Sequence, residues 1–145
     1  MPVVVWMVVI FTASTDLMSA QHTSRIIGPF LQWLIPEITV GSIAALQLFS
    51  RKLAHLTEYA ILGALLLRGL RKSSSKLASK SLGGVAFIVA AVFAASDEFH
   101  QSFVASRTGS SHDILIDTMG AALGLGIYWF FLLRRPLTIP QAKRA

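Results

Sequence analysis

The chain has 145 residues, of which 54% are hydrophobic and only 14% are charged, and its mean hydropathy is +0.63. A soluble domain carries about 25% charged residues, so this composition indicates an integral membrane protein with no room for a soluble domain. The formal net charge of +6 comes mainly from short basic segments beside apolar runs, a pattern that argues against nucleic-acid binding. No cysteine is present, which excludes a disulfide, a thiolate nucleophile and a cysteine-based metal site.

The first third of the chain predicts one short span and one segment at the membrane surface. Residues 2–15 are uncharged, but a full span needs about 20 residues. A cleaved signal peptide is the alternative; we favour a retained helix, because no basic residue precedes Arg25. Within residues 26–50, Pro29 and Pro36 divide an apolar stretch into pieces too short to span. We therefore predict an interfacial or re-entrant helix followed by a short apolar piece, with a full span as the alternative.

Three further apolar runs predict transmembrane helices over residues 53–70, 80–98 and 114–133. The last run contains Gly120 and Gly124, a GxxxG pair that allows a neighbouring helix to approach closely. Together with the first helix, these runs predict an all-α membrane bundle of about four transmembrane helices.

The charges of the loops predict the orientation of this bundle. Segment 68–80 and the tail 134–145 carry basic residues and no acid, which is typical of cytoplasmic segments. Segment 97–113 has three acidic residues and one arginine, which suits the outside. We therefore expect a multi-pass protein with both termini in the cytoplasm.

This orientation brings most of the ionisable residues of the apolar runs to the outer face. Residues three or four apart share a face of a helix, as His55 does with Glu58 and Tyr59, and as Asp113 does with Asp117. Charged groups are costly in a bilayer unless they are paired or functional. The expected binding cluster comprises Arg51, Lys52, His55, Glu58, Tyr59, Asp97, Glu98, Gln101, Arg107, Asp113 and Asp117.

Two interpretations of this cluster remain open. In the first, the basic residues pair with the acids and brace the helices. In the second, the cluster binds a cation, an amine or a lipid headgroup, because five acidic residues outnumber three basic ones by a formal charge of −2. A divalent metal is a further alternative, with His55, Glu58 and Asp97 as candidate ligands and Glu98 adjacent to Asp97. Their ligand atoms suit zinc, manganese or magnesium, but the H-E-x-x-H motif is absent. No G-x-S-x-G motif indicates a serine nucleophile.

Two segments resemble the VanZ-like family in residue order and spacing. They are RKLAHLTEYAILG at 51–63 and SDEFHQSFVASRTGSSHDILIDTMGAALG at 96–124. One departure is Ala105-Ser106, where the family usually has Pro-Gly before the arginine. The matching residues are Arg51, Lys52, His55, Glu58, Tyr59, Gly63, Asp97, Glu98, Gln101, Arg107, Gly109, Ser110, Asp113, Asp117 and Gly120.

The resemblance implies a single VanZ-like domain over residues 1–145, in the cytoplasmic membrane of a bacterium. The founding member of that family is linked to resistance to teicoplanin, a glycopeptide that acts outside the cell. Our first hypothesis is a non-enzymatic protein that binds a lipid-linked envelope precursor, a glycopeptide or a partner protein. The alternative is an intramembrane, metal-dependent enzyme that acts on a phospholipid or a polyprenyl phosphate. An ion pathway is disfavoured because the inner halves of the spans are almost wholly apolar.

Overall fold

The computed structural model describes residues 2–15, 20–73, 79–104 and 110–133, and within these ranges the chain is helical without a strand. The all-α prediction is therefore confirmed. The helices are α1 (Pro2–Ala13), α2 (Ala20–Leu34), α3 (Val40–Ser73), α4 (Ser79–Gln101) and α5 (Ser111–Leu133).

Three of these helices are long and apolar enough to cross a membrane, over Val40–Ser73, Ser81–Gln101 and Ser111–Phe131. Helix α1 is apolar but has only 12 residues. At about 1.5 Å per residue it is shorter than a hydrocarbon core of about 30 Å. The bundle thus has three helices of spanning length, and the fourth span stays a prediction.

Helix α3 begins much earlier than the sequence analysis predicted. Its 34 residues run without interruption from Val40, so the predicted short piece after Pro36 is the first part of this helix. The helix starts where Thr39 Oγ1 accepts a hydrogen bond from the Ser42 amide at 3.1 Å, and no proline follows within it. Pro36 separates α2 from α3, whereas Pro29 is accommodated inside α2.

Small residues bring α3 and α5 into backbone contact. A β-carbon added to Gly120 would meet the backbone of Leu56, and one added to Gly124 would meet the backbone of Ala60. From the other side, Gly63 lies against the backbone of Ala121. The GxxxG pair therefore lies where α5 packs against α3, which holds the polar residues of the two helices in a close register.

Helices α4 and α1 complete the core around this pair. Ala86, Ala90 and Ala94 form a fully buried stripe along α4. On α1, Ile10 is fully buried, and Trp6 Nε1 donates a hydrogen bond to the Glu58 carbonyl at 2.9 Å. Helix α1 is thus attached to α3 one turn from His55.

Candidate functional site

Buried polar side chains of α3, α4 and α5 converge at one end of the bundle. They lie near the middle of α3, in the last turn of α4 and in the first two turns of α5. Each is less than one-tenth exposed, and all but Gln101 are ionisable, which is exceptional in an apolar bundle. These residues are His55, Asp97, Glu98, Gln101, Asp113 and Asp117.

The first group within this site joins α4 to the end of α1. Ser14 Oγ donates a hydrogen bond to Asp97 Oδ2 at 2.7 Å, and Gln101 Nε2 donates to the same oxygen at 3.0 Å. Gln101 Nε2 also donates to Ser14 Oγ at 3.2 Å. This closed network satisfies one carboxylate oxygen of Asp97 and fixes the position of α1, so bracing accounts for this part of the cluster.

The second group lies where all three long helices meet. His55 Nδ1 is 3.1 Å from Asp117 Oδ1, so α3 and α5 are joined by a buried imidazole–carboxylate contact. Glu98 on α4 accepts a hydrogen bond from the Ser110 amide at 2.9 Å, just before α5 begins. One ligand atom from each of His55, Glu98 and Asp117 lies within 4.8 Å of the other two. This arrangement, called the triad below, gathers two carboxylates and one imidazole in a buried position.

The third group lies further out and is basic. Lys52 Nζ is 2.8 Å from Asp113 Oδ1, while Arg51 Nη2 is 4.0 Å from Asp113 Oδ2. The Lys52 side chain is 40% exposed and the Asp113 side chain 12%, so this pair lies at the rim of the site. Two cations thus share a single carboxylate, and Arg51 Nη2 donates no hydrogen bond within the described ranges.

Several other buried polar atoms also lack a hydrogen-bond partner in the part of the chain that the structure describes. They include one oxygen of each of three carboxylates, at Asp97, Glu98 and Asp117, and the hydroxyl of Tyr59. A buried polar atom without a partner costs free energy, about 1–3 kcal/mol, so such atoms point to a ligand, an ion or ordered water.

Two cavities adjoin at this end of the molecule. The first, the polar cavity, has a volume of about 370 Å³ and is lined by Leu48, Arg51, Lys52, His55, Ser110, His112 and Asp113. The second, the apolar groove, has a volume of about 650 Å³ and lies between α2 and α3. Its apolar lining includes Ile27, Leu31, Ala44, Leu46 and Leu48. Leu48, Arg51 and His55 line both cavities, so the two form one region with a cationic end and a hydrocarbon end.

The carboxylates that lie beside His55 in the structure differ from those that the metal hypothesis named. His55 lies with Glu98 and Asp117 rather than with Glu58 and Asp97. Successive residues of a helix are about 100° apart, so Asp97 turns towards Ser14 while Glu98 turns towards α5. Glu58 is half-buried on α3 and does not belong to the triad.

Two other members of the cluster complete its description. Tyr59 is fully buried, with its ring 6.2 Å from that of Phe93 on α4, so it belongs to the core as well as to the site. The prediction for Arg107 falls outside the described residues, as does the match at Gly109.

Three residues near the site were not among the expected members. Ser14 donates a hydrogen bond to Asp97, and the backbone amide of Ser110 donates one to Glu98. His112 lines the polar cavity. Helical periodicity relates residues of the same helix, so it gives no signal for the contact between Ser14 and Asp97, which are 83 positions apart. A signal for Ser110 was available in its position just before an apolar helix, which is typical of a capping residue.

Comparison with known proteins adds a family assignment. A family model described as VanZ/LLP1 matches residues 1–133, which is most of the chain and includes every residue of both cavities. No curated protein and no solved structure matches the chain significantly.

Proposed function

The chain belongs to the VanZ/LLP1 family, and we propose that it is a membrane protein that binds an anionic amphipathic lipid, namely a lipid phosphate of the kind that carries envelope precursors. The headgroup would lie in the polar cavity and the hydrocarbon chain in the apolar groove. The observation that carries this proposal is that the two cavities share Leu48, Arg51 and His55.

The polar cavity supports recognition of an anion. Arg51 and Lys52 both point to one carboxylate, Asp113, and Arg51 Nη2 has no hydrogen-bond partner within the described ranges. A guanidinium and an ammonium group are the side chains that bind phosphate oxygens, and His112 adds a further nitrogen donor to the lining. A phosphate would therefore satisfy Arg51 Nη2, which has no hydrogen-bond partner in the described part of the chain.

The apolar groove supports recognition of a hydrocarbon chain. Its walls come from Ile27 and Leu31 of α2 and from Ala44 and Leu48 of α3. Residues 40–50 extend α3 beyond the predicted span, so the groove lies beside the polar end of the bundle. A volume of about 650 Å³ falls within the range of about 300–1,000 Å³ that is usual for small-molecule sites.

The loop charges support an outward-facing site. Arg71 and Lys72 lie in the last turn of α3, at the end away from the polar cavity, so the positive-inside rule favours a cytoplasmic position for that end and an outer position for the cavity. An outer site in a bacterial cytoplasmic membrane would meet lipid-linked precursors, and both termini would be cytoplasmic if α1 crosses the membrane.

Binding of a polyprenyl phosphate to the purified full chain in detergent micelles tests the proposal. The uncharged polyprenol of the same length and inorganic phosphate serve as the two partial ligands. We expect the lipid phosphate to bind more tightly than either, because each partial ligand fills only one cavity. Removing one charge-assisted contact, as in Arg51→Ala, should weaken binding about tenfold or more.

Matched variants separate the two ends of the site. Arg68→Ala removes an exposed arginine from the other end of α3 and should leave binding unchanged. Ala44→Trp should fill the apolar groove and weaken binding of the polyprenyl phosphate, whereas Ala122→Trp, at an exposed position of α5, should not. Equal affinity of the wild type and a folded Arg51→Ala variant would contradict the proposal, as would equal affinity for the phosphate and the alcohol.

A metal-dependent enzyme acting on the same class of lipid is the second candidate, and the close approach of His55, Glu98 and Asp117 favours it. Release of inorganic phosphate from a polyprenyl phosphate or a phospholipid, in the presence of Mn²⁺ or Zn²⁺, would support this reaction. Binding without turnover would leave the first proposal in place.

A role in teicoplanin resistance is the finer expectation that the family resemblance implies. If the protein acts through its lipid ligand, expression of the wild type should alter teicoplanin susceptibility and Arg51→Ala should not. Direct binding of the glycopeptide, undiminished by the polyprenyl phosphate, would contradict that route.

A further inference from the structure

We propose that His55, Glu98 and Asp117 form a buried binding site for one divalent transition-metal ion. Each residue comes from a different spanning helix, and one ligand atom of each lies within 4.8 Å of the other two. His55 Nδ1 and Asp117 Oδ1 are 3.1 Å apart. Two adjacent ligands with bonds of about 2.1 Å to one ion lie about 3 Å apart, so this pair already has the separation of neighbouring ligands.

The required movement of the third ligand is small. Ligands on opposite sides of an ion with bonds of about 2.1 Å are separated by about 4.2 Å. The ligand atoms of the triad lie at most 4.8 Å apart, so the largest separation exceeds this value by a few tenths of an ångström. Rotation about the three side-chain torsions of Glu98 can close this gap. The helices themselves do not need to move.

Unpartnered oxygens at the triad are an independent observation that points to a ligand. Glu98 is 3% exposed and Asp117 is fully buried, yet Glu98 Oε1 and Asp117 Oδ2 accept no hydrogen bond within the described ranges. On Glu98 the other oxygen accepts a hydrogen bond from the Ser110 amide, which holds this carboxylate in place, as hydrogen bonds to metal-binding carboxylates usually do. On Asp117 the other oxygen, Oδ1, lies beside His55 Nδ1, and an ion bound between these two atoms would replace their mutual hydrogen bond.

The charge of the triad favours a divalent ion over bracing alone. Two carboxylates and one imidazole carry a formal charge of −2 when the imidazole is neutral and −1 when it is protonated. The basic residues Arg51 and Lys52 lie with Asp113 at the rim. A divalent ion would neutralise both carboxylates, and burial of uncompensated carboxylates is costly.

The ligand types narrow the choice of ion. Imidazole binds Zn²⁺ and other late transition metals well, while two carboxylates suit Mn²⁺ and Mg²⁺. One nitrogen with two oxygens matches Zn²⁺ and Mn²⁺ best, with water filling the remaining positions. His55 also lines both cavities, so an ion in the triad would lie below the polar cavity.

Metal content and metal binding of the purified full chain test this site. The protein is treated with a chelator, dialysed, and titrated in detergent with Mn²⁺ followed by electron paramagnetic resonance and with Zn²⁺ followed by calorimetry. We expect one ion per chain and a higher melting temperature in the presence of the ion, because the ion links three helices. Glu98→Gln and Asp117→Asn should each weaken binding at least tenfold and abolish the rise in melting temperature.

Glu37→Gln provides a matched control. It makes the same chemical change as Glu98→Gln, but Glu37 is exposed between α2 and α3 and does not belong to the triad. This variant should bind one ion with the affinity of the wild type. Loss of binding in this control but not in the triad variants would overturn the assignment.

The wild-type titration keeps the proposal falsifiable if a triad variant does not fold. Failure of the chelated wild type to bind either ion stoichiometrically, or binding that leaves the melting temperature unchanged, would overturn the site. Equal binding by the wild type and a folded Asp117→Asn variant would mean an adventitious ion only. The metal site does not depend on the proposed lipid binding, since the lipid experiment varies Arg51 and Ala44 and the metal experiment varies Glu98 and Asp117.

Discussion

Replacing Gly124 with alanine should separate α5 from α3. A β-carbon at this position would lie 2.7 Å from the Cα atom of Ala60 and still closer to the carbonyl of that residue. Because these are backbone atoms inside a helix, they cannot rotate away, and the helices must move apart. Overpacking of this kind costs about 1–3 kcal/mol.

Gly126→Ala is the matched control, on the same helix. A β-carbon added to Gly126 meets nothing within 4 Å, and the position is exposed. This substitution only replaces the poor helix propensity of glycine with the better one of alanine. The change should raise the free energy of unfolding by up to about 1 kcal/mol. Both variants gain this helix propensity, so they should differ by the overpacking cost alone, about 1–3 kcal/mol in free energy of unfolding.

Unfolding of the three proteins by sodium dodecyl sulfate in mixed micelles, followed by circular dichroism, measures this difference. We expect the order of stability to be Gly126→Ala, wild type, Gly124→Ala. Equal midpoints for the two variants would refute the inference that α3 and α5 meet backbone to backbone at Gly124. The result would also bear on the site, because the same helix contact positions Asp117 against His55.

Three other substitutions test contacts around the site. Trp6→Phe removes the hydrogen bond to the Glu58 carbonyl and should lower the free energy of unfolding by about 0.5–1.5 kcal/mol, measured in the same assay. Tyr59→Phe should leave stability unchanged or raise it by up to about 1 kcal/mol, since the buried hydroxyl has no partner in the described ranges; a large loss would reveal a partner. A double-mutant cycle on Lys52 and Asp113 should give a coupling below about 1 kcal/mol, because the Lys52 side chain is 40% exposed, and a larger coupling would contradict a rim position.

The metal hypothesis shows which side-chain groupings helical spacing can predict and which it cannot. Spacing of three places His55 and Glu58 on adjoining parts of one face, and adjacency suggests that Asp97 and Glu98 act together. In the bundle, Asp97 faces Ser14 and Gln101, and Glu98 faces the start of α5. Spacing specifies which side chains of one helix share a face, but it does not specify which neighbouring helix that face meets.

The long helix α3 shows a second limit of the same kind. Pro36 correctly marked a boundary, because proline disfavours a helical conformation at the residue before it. The sequence predicts a separate short apolar piece after it, because Pro29 and Pro36 divide residues 26–50 and the predicted span starts only at residue 53. In the structure, Arg51 and Lys52 are on a continuous helix, where they contact Asp113 of α5, so their charges do not interrupt the helix.

The sequence by itself determined the class of protein and the approximate positions of three long apolar helices, although not the start of α3. Apolar runs of spanning length, glycines four apart and acids at helix ends can be recognised in the sequence without knowing which helices pack together. Only the tertiary structure decided that His55 lies with Glu98 and Asp117, that Arg51 lines both the polar cavity and the apolar groove, and that Ser14 holds Asp97. These groupings join residues far apart in the chain, and they depend on how the helices rotate and approach when α5 packs its glycines against α3.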